Sequence, residues 1–326
     1  MDSSRRLQRS YSASRQISKL WHKTLSFLKS SIITLWLFTV NDFKTTIFPS
    51  IAFAVFYSLG NLASQISVFV LLSRLPYVFC WTWVNLLAFT VNNQRYPGAI
   101  TEDLLNKPWR PIPAGRISSR DAQILGLLTY PLSMWTSFLV GGGLIQSILL
   151  AVFGWVYNRP GASSRGFVVR NLLNGLGFTS FASGALDVTL ERHHHGNSVL
   201  LDGNVLSWLC LLVVVILTTV HSQDLYDQAG DAASGRRTVP LVVGDSPARW
   251  SIALGVIWWS IVSARYWSSG SVGYQLTGSL ALWVAWRTLF MRTVTADRTT
   301  FLIYNGWLMS VYSLPLAARC KAFTAN

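Results

Sequence analysis

From Gly203 to Gln223 the chain reads GNVLSWLCLLVVVILTTVHSQ, a stretch with no Asp, Glu, Lys or Arg. As a helix it would be about 31 Å long, the depth of a hydrocarbon core. In lipid the backbone must satisfy its own polar groups, and a helix does so within one segment. Comparable apolar runs lie near 45–72, 77–93, 119–139, 142–158, 167–190, 199–222, 248–268, 273–290 and 300–318. Charged residues make up only 12% of the chain, against about 25% in soluble domains. The expectation is an all-α integral membrane protein of about nine transmembrane helices. Leu75-Pro76 and Gly141-Gly142-Gly143 are expected to be tight turns between neighbouring spans. Cys80, Cys210 and Cys320 are few and scattered. Two of them lie in apolar runs and are expected to be small core residues, with no disulfide framework or metal site.

The net charge is +14. With the N-terminus in the cytosol, the nine spans leave only Arg74, Arg192, Arg265, Arg319 and Lys321 on the outer side, out of 27 Lys and Arg. That asymmetry follows the positive-inside rule, so the basic excess reflects topology and attraction to the inner leaflet. Nucleic-acid binding has no support beyond charge. Residues 1–34 are rich in Ser and Arg and nearly free of acids. They are expected to be a disordered cytosolic tail at the lipid headgroups, with a mitochondrial presequence as the alternative. The corresponding compartments are the endoplasmic reticulum and the mitochondrial inner membrane.

Acids are scarce, 13 in all, yet five fall in two inner loops. One loop, TEDLLNKPWRPIP (101–113), carries Glu102 and Asp103. The other, HSQDLYDQAGDAASGRRTVP (221–240), carries Asp224, Asp227 and Asp231. Both follow an even-numbered span and therefore share a membrane face. The spacing i, i+3, i+7 places the three aspartates on one helical stripe. Clustered carboxylates suit a hard divalent cation, and Mg²⁺ binds through a few carboxylates plus substrate phosphates. Lys107, Arg110 and Arg116 in the first loop, and Arg236 and Arg237 in the second, could neutralise the remaining phosphate charge.

Other features carry less. His193-His194-His195 falls in a short outer loop across the membrane from the acids and is expected to be an exposed polar run. Asp187 is expected to reach the outer interface. Asp42, near the inner mouth of the first span, could touch a headgroup or a substrate. Asn174, Gly175 and Gly177 suit close helix contact as well as ligand contact. Trp81, Trp83, Phe178, Phe181, Trp258, Trp259, Trp283, Trp286, Tyr304 and Trp307 are candidates for an aromatic pocket wall, though most are expected to be packing or interface residues.

The segments EDLLNKPWRPIPAGRIS and DLYDQAGD resemble the paired aspartate-rich motifs of the UbiA superfamily of intramembrane prenyltransferases. The family pattern is NxxxDxxxD, commonly followed by NKPxxP or RPxP, with a second DxxxD or DxxDxxGD. The likeness covers residues 35 to 318, with 319–326 left as a short C-terminal tail. It implies nine helices bundled around a central cavity. It also implies that Asp103, Asp227 and Asp231 are catalytic, and that they hold metal together with Glu102 and Asp224. Asn93 or Gln94 would open the first motif, with Asn106, Lys107, Arg110, Arg236 and Arg237 around the diphosphate. Arg159 and Asn171 match less closely as diphosphate or pocket contacts. Ala99 and Arg95 stand where the first motif has its middle Asp and its Asn, which sets the chain nearer the fungal branch that includes membrane-bound sesquiterpene cyclases. The resemblance implies two or more Mg²⁺ ions and an isoprenyl diphosphate, farnesyl diphosphate being favoured. Cyclisation and transfer to an aromatic acceptor are the two outcomes. A non-catalytic membrane scaffold has no use for the acids.

Overall fold

The computed structural model describes residues 2–60, 66–158, 166–191 and 198–324. Every regular element among them is helical. In order, these are α1 (Asp2–Thr39), α2 (Phe48–Gly60), α3 (Val68–Gln94), α4 (Pro97–Asn106), α5 (Ser119–Val140), α6 (Leu144–Asn158), α7 (Phe167–Thr189), α8 (Gly203–Thr219), α9 (Asp224–Ala233), α10 (Val239–Val243), α11 (Asp245–Tyr266), α12 (Gly270–Phe290), α13 (Val294–Tyr312) and α14 (Leu314–Thr324). A 3₁₀ turn (Val40–Asp42) and a π turn (Phe43–Ile47) join α1 to α2.

Among the described residues, four stretches are long and apolar enough to cross a membrane: Ser18–Gly60, Val68–Gln94, Ser119–Val140 and Gly203–Ala233. Val294–Tyr312 and Leu314–Ala322, bent by 40°, make a fifth if they form one broken span. The exterior is apolar, with Leu127, Leu128, Trp135, Leu139, Leu254, Trp258, Leu282 and Phe290 all exposed. Buried hydroxyls turn back onto their own helix, as Thr82 donates to Val78 O at 2.7 Å and Thr90 to Leu86 O at 2.9 Å. An oily outside with hydroxyls such as these bonded within their own helix is a pattern that suits lipid.

Local chemistry sets the ends. Ser118 caps α5, its Oγ accepting from Asp121 N at 3.1 Å. Gly141 closes that helix at φ 78°, and Gly143 follows at φ 79°, the left-handed region that glycine adopts without strain. The triple glycine is thus a turn, as its sequence demands. A Cβ on Gly142 would come 2.6 Å from Asp187 O, and one on Gly143 2.6 Å from the Trp81 ring, so the turn lies flush on the bundle.

Four expectations fail. The apolar run 45–72 is not one helix, because α2 ends at Gly60 and α3 begins at Val68 behind a Ser67 cap. A Cβ on Gly60 would meet Pro315 C at 2.5 Å, so α14 packs directly against the last described turn of α2. Leu75-Pro76 is no turn: Pro76 lies inside α3. Proline costs one backbone hydrogen bond, which is less than a broken helix costs in lipid. The N-terminal tail is helical, since no Gly or Pro interrupts the chain before Pro49. Finally, all three cysteines are exposed, with Cys80 and Cys210 on outward helix faces. The histidine run lies outside the described residues.

Candidate active site

Two short helices carry the acids. Pro97 starts α4, its fixed φ suiting the first helical position, and Glu102 and Asp103 follow in the next turn, both buried. The 3₁₀ turn Val220–Gln223 ends the apolar α8 and feeds α9, where Asp224, Asp227 and Asp231 are all buried. The two helices touch through Asn106, whose Nδ2 donates to Asp227 O at 3.3 Å. A Cβ on Gly230 would overlap the Asn106 amide, so the glycine permits the approach.

Between these helices and the bundle lies a cavity of about 370 Å³, a size typical of small-molecule sites. Its mouth is polar, lined by Asp42, Glu102, Lys107, Arg110, Asp227 and Arg236. Its inner wall is apolar, with Phe89, Phe153, Phe178, Phe181 and Phe301. One face of α7 spans the two: Arg170, Asn174, Gly177, Phe178 and Phe181 run from the charged end to the aromatic end.

The carboxylates are matched with cations. Arg110 Nη1 lies 2.8 Å from Asp103, and its Nη2 lies 3.6 Å from Asp42. Lys107 meets Asp227 at 3.2 Å, Arg170 meets Asp224 at 2.6 Å, and Arg236 meets Glu102 at 2.5 Å and Asp231 at 3.4 Å. Burial raises the Asp103 carboxyl above its ordinary range, and the charge and hydrogen bond of Arg110 pull it part of the way back.

Among the described residues, no three His, Cys, Asp or Glu side chains converge as a ready metal cage. The donor set nevertheless fits a hard cation. Asp224 Oδ2, Asp227 Oδ1 and Asp231 Oδ2 are buried without a hydrogen-bond partner. Each carboxylate thus keeps one buried oxygen free of a hydrogen bond beside its ion-paired one, and oxygen is what Mg²⁺ takes.

The structure divides the candidate residues. Asn93, Glu102, Asn106, Lys107, Arg110, Asp227 and Arg236 line the cavity. Asp103, Asp224 and Asp231 stand behind it, each holding a lining arginine. Three candidates lie off its wall. Gln94 donates to Phe38 O at 2.9 Å and ties α1 to α3. Asn171 donates to Leu217 O at 3.3 Å and joins α7 to α8. Arg237 is exposed, one residue beyond the turn that aims Arg236 inward. Arg159 lies outside the described residues.

Of the aromatic candidates, Phe178 and Phe181 line the cavity, whereas Trp81 and Trp307 are packed in the core and Trp258, Trp283 and Trp286 face outward. Gly175 serves helix contact, a Cβ there coming 2.9 Å from Val213 O, while Asn174 and Gly177 face the cavity. Asp42 joins the site. Asp187 is buried and accepts from Val199 N at 2.7 Å and Ser198 Oγ at 2.9 Å, capping the 3₁₀ turn Val199–Leu201. Sequence reading misses Lys44, Tyr157, Arg170, Tyr226 and Arg298 as lining residues. A charge at the start of an apolar helix, as at Arg170, is a signal that could have found one of them.

Comparison with known proteins agrees with this geometry. The model of the UbiA prenyltransferase family matches residues 46–311. The chain is 28% identical to fumagillin beta-trans-bergamotene synthase of Aspergillus fumigatus, over 91% of its own length and 95% of the relative's. It is 26% identical to somaliensene A/B synthase of Streptomyces somaliensis (87% and 90% covered), and 30% identical to a polyprenyl transferase of Hericium erinaceus (66% and 70% covered). A solved UbiA homologue from Archaeoglobus fulgidus, bound to DMAPP and Mg²⁺, superposes with a TM-score of 0.58 at 15% identity, covering 88% of this chain and 96% of that one. The fold, the cavity with its two acidic helices, and a family match across most of the length lead to one assignment: the chain belongs to the UbiA prenyltransferase family of membrane enzymes.

Proposed function

We propose that the protein ionises an allylic prenyl diphosphate and cyclises the resulting cation, with farnesyl diphosphate as substrate and a sesquiterpene hydrocarbon as product. One observation carries this reading: a single cavity joins a carboxylate- and cation-lined mouth to an aromatic, apolar interior. The mouth suits a metal-bound diphosphate, and the interior suits a hydrocarbon tail. The likeness along nearly the whole chain to a bergamotene synthase supports cyclisation over transfer.

In this reading Asp227 and Glu102 would hold Mg²⁺ at the mouth, with Asp103, Asp224 and Asp231 completing the acidic set. Bound Mg²⁺ would stabilise the charge that develops on the leaving diphosphate. The carbon–oxygen bond breaks heterolytically, and its electron pair leaves with the diphosphate. Lys107, Arg110, Arg170 and Arg236 face that charge. A double bond of the same chain then attacks the allylic carbon, and the final cation gives up a proton to the released diphosphate to leave the neutral hydrocarbon. Phe89, Phe153, Phe178, Phe181 and Phe301 exclude water and offer π faces to the cation. We further propose nine crossings, with the N-terminus and both acidic helices cytosolic, in the endoplasmic reticulum.

The test is direct. Membranes carrying the protein are incubated with farnesyl diphosphate and Mg²⁺ without an acceptor, and the extract is analysed by gas chromatography and mass spectrometry. A sesquiterpene hydrocarbon that disappears with EDTA is the expected result. If no hydrocarbon forms but a prenylated product appears when aromatic acceptors are added, the enzyme is a transferase.

A further inference from the structure

Most cavity cations already have a carboxylate. Lys107, Arg110, Arg170 and Arg236 each sit within ion-pair distance of one or two acids. Among the described residues, Lys44 and Arg298 line the same cavity and have none.

Arg298 is the more instructive of the two. It opens the second turn of α13, and its side chain is exposed at the mouth. Its guanidinium carbon lies 5.9 Å from the Tyr226 ring centroid, within cation–π range. Tyr226 is the neighbour of Asp227 and lines the cavity too. The adjacent acid, Asp297, is not available to Arg298. Arg249 grips it with two parallel bonds, Nη1 to Oδ1 at 2.8 Å and Nη2 to Oδ2 at 2.7 Å, and Arg249 Nη1 also donates to Thr288 O at 2.9 Å. The nearest acid in sequence is therefore consumed by a buried fork, and that fork also fixes the backbone from which Arg298 projects. The result is a positioned guanidinium, braced on a ring, with its charge unspent at the entrance to a cavity whose other arginines are occupied.

We propose that Arg298 is the core of a metal-independent capture site for the diphosphate group of the incoming substrate, outside the carboxylates that hold the metal. The guanidinium presents planar paired donors suited to a phosphate oxygen pair. It acts on arrival, by raising the local concentration of the anionic ligand, and not on bond cleavage. This rests on the prenyl diphosphate reading given above.

The experiment uses the purified full-length protein in lipid nanodiscs, with inorganic diphosphate as the probe and EDTA present, followed by titration calorimetry. The wild type is expected to bind diphosphate without metal, with affinity falling as salt rises. Arg298→Gln should weaken that binding about tenfold, and Arg298→Lys should restore part of it. Asp227→Asn, which disables the metal site, should not weaken it. With Mg²⁺ and farnesyl diphosphate, Arg298→Gln should raise KM about tenfold and leave kcat within about twofold. A purely structural role would not divide KM from kcat, and an unchanged melting temperature checks folding. Equal diphosphate affinity and equal KM in Arg298→Gln and wild type would overturn the capture site. If the wild type binds no diphosphate in EDTA yet turns over with Mg²⁺, the capture site falls and the proposed function stands. If it does neither, both fall.

Discussion

Gly230 of α9 and Asn106 of α4 are in direct contact, and a single added carbon on Gly230 would occupy the place of the Asn106 amide. The two acidic helices are therefore spaced by the absence of a side chain. Gly230→Ala should push them apart, destabilise the fold by about 1–3 kcal/mol and cut turnover. Shortening the opposing side chain as well, in Asn106→Ala/Gly230→Ala, should recover part of the stability, because the two sites are coupled. Thermal melting of the three variants in detergent measures this, and strictly additive losses would contradict the contact.

Asp227 is the aspartate of α9 that reaches the cavity, and Asp103 holds Arg110 against the mouth. Asp227→Ala and Asp103→Ala should each lower turnover by about 100-fold or more, with membrane insertion intact. Full activity in either variant would contradict the two-helix site.

Metal dependence follows from the three buried carboxylate oxygens on α9 that lack a partner. EDTA should abolish turnover and added Mg²⁺ should restore it. Activity that persists through exhaustive chelation would count against these oxygens as ligands.

The Asp103 carboxyl lies above the ordinary aspartate range because it is buried, while Arg110 opposes the shift. The ionised form serves the site, so activity should be present at neutral pH. On acidification it should fade at a higher pH than an ordinary aspartate would dictate. Arg110→Gln removes the opposing charge and should move that acid limb to higher pH still. A pH profile of kcat/KM decides it, and a shift toward lower pH would refute the assignment.

Arg249 and Asp297 form a buried pair, each about 2% exposed, joining α11 to α13. Arg249→Ala leaves an uncompensated carboxylate and should destabilise the protein by about 3–5 kcal/mol. A melting temperature equal to that of the wild type would show that the pair carries no such load.

The acids were the most legible part of the sequence. A chain with 13 acidic residues that sets five in two loops on one face leaves little room for another reading. The Gly141–Gly143 turn was equally plain. Helix register was harder: Asn93 faces the cavity and Gln94, its neighbour, turns to Phe38, a rotation of about 100° that composition does not reveal. Pro76 misled because the rule for aqueous helices gives way in lipid. Arg170 and Arg298 were counted as topology signals, and their place in the site depends on partners 54 residues away for one and on the Asp297 fork for the other.

The closed end of the cavity has its own consequence. Phe181 lines it, with the Trp81 ring edge-on behind it at 6.4 Å between centroids. Trp81 in turn is pinned by a 2.9 Å bond to Ser137 and wedged against Gly143 and Gly184. A back wall held so firmly turns the chamber into a ruler. On the proposed reading, with the diphosphate at the carboxylates, Phe181 would set the length of tail the chamber accepts. Trimming Phe181 would lengthen the gauge, whereas enlarging Gly184 would drive Trp81 forward and shorten it.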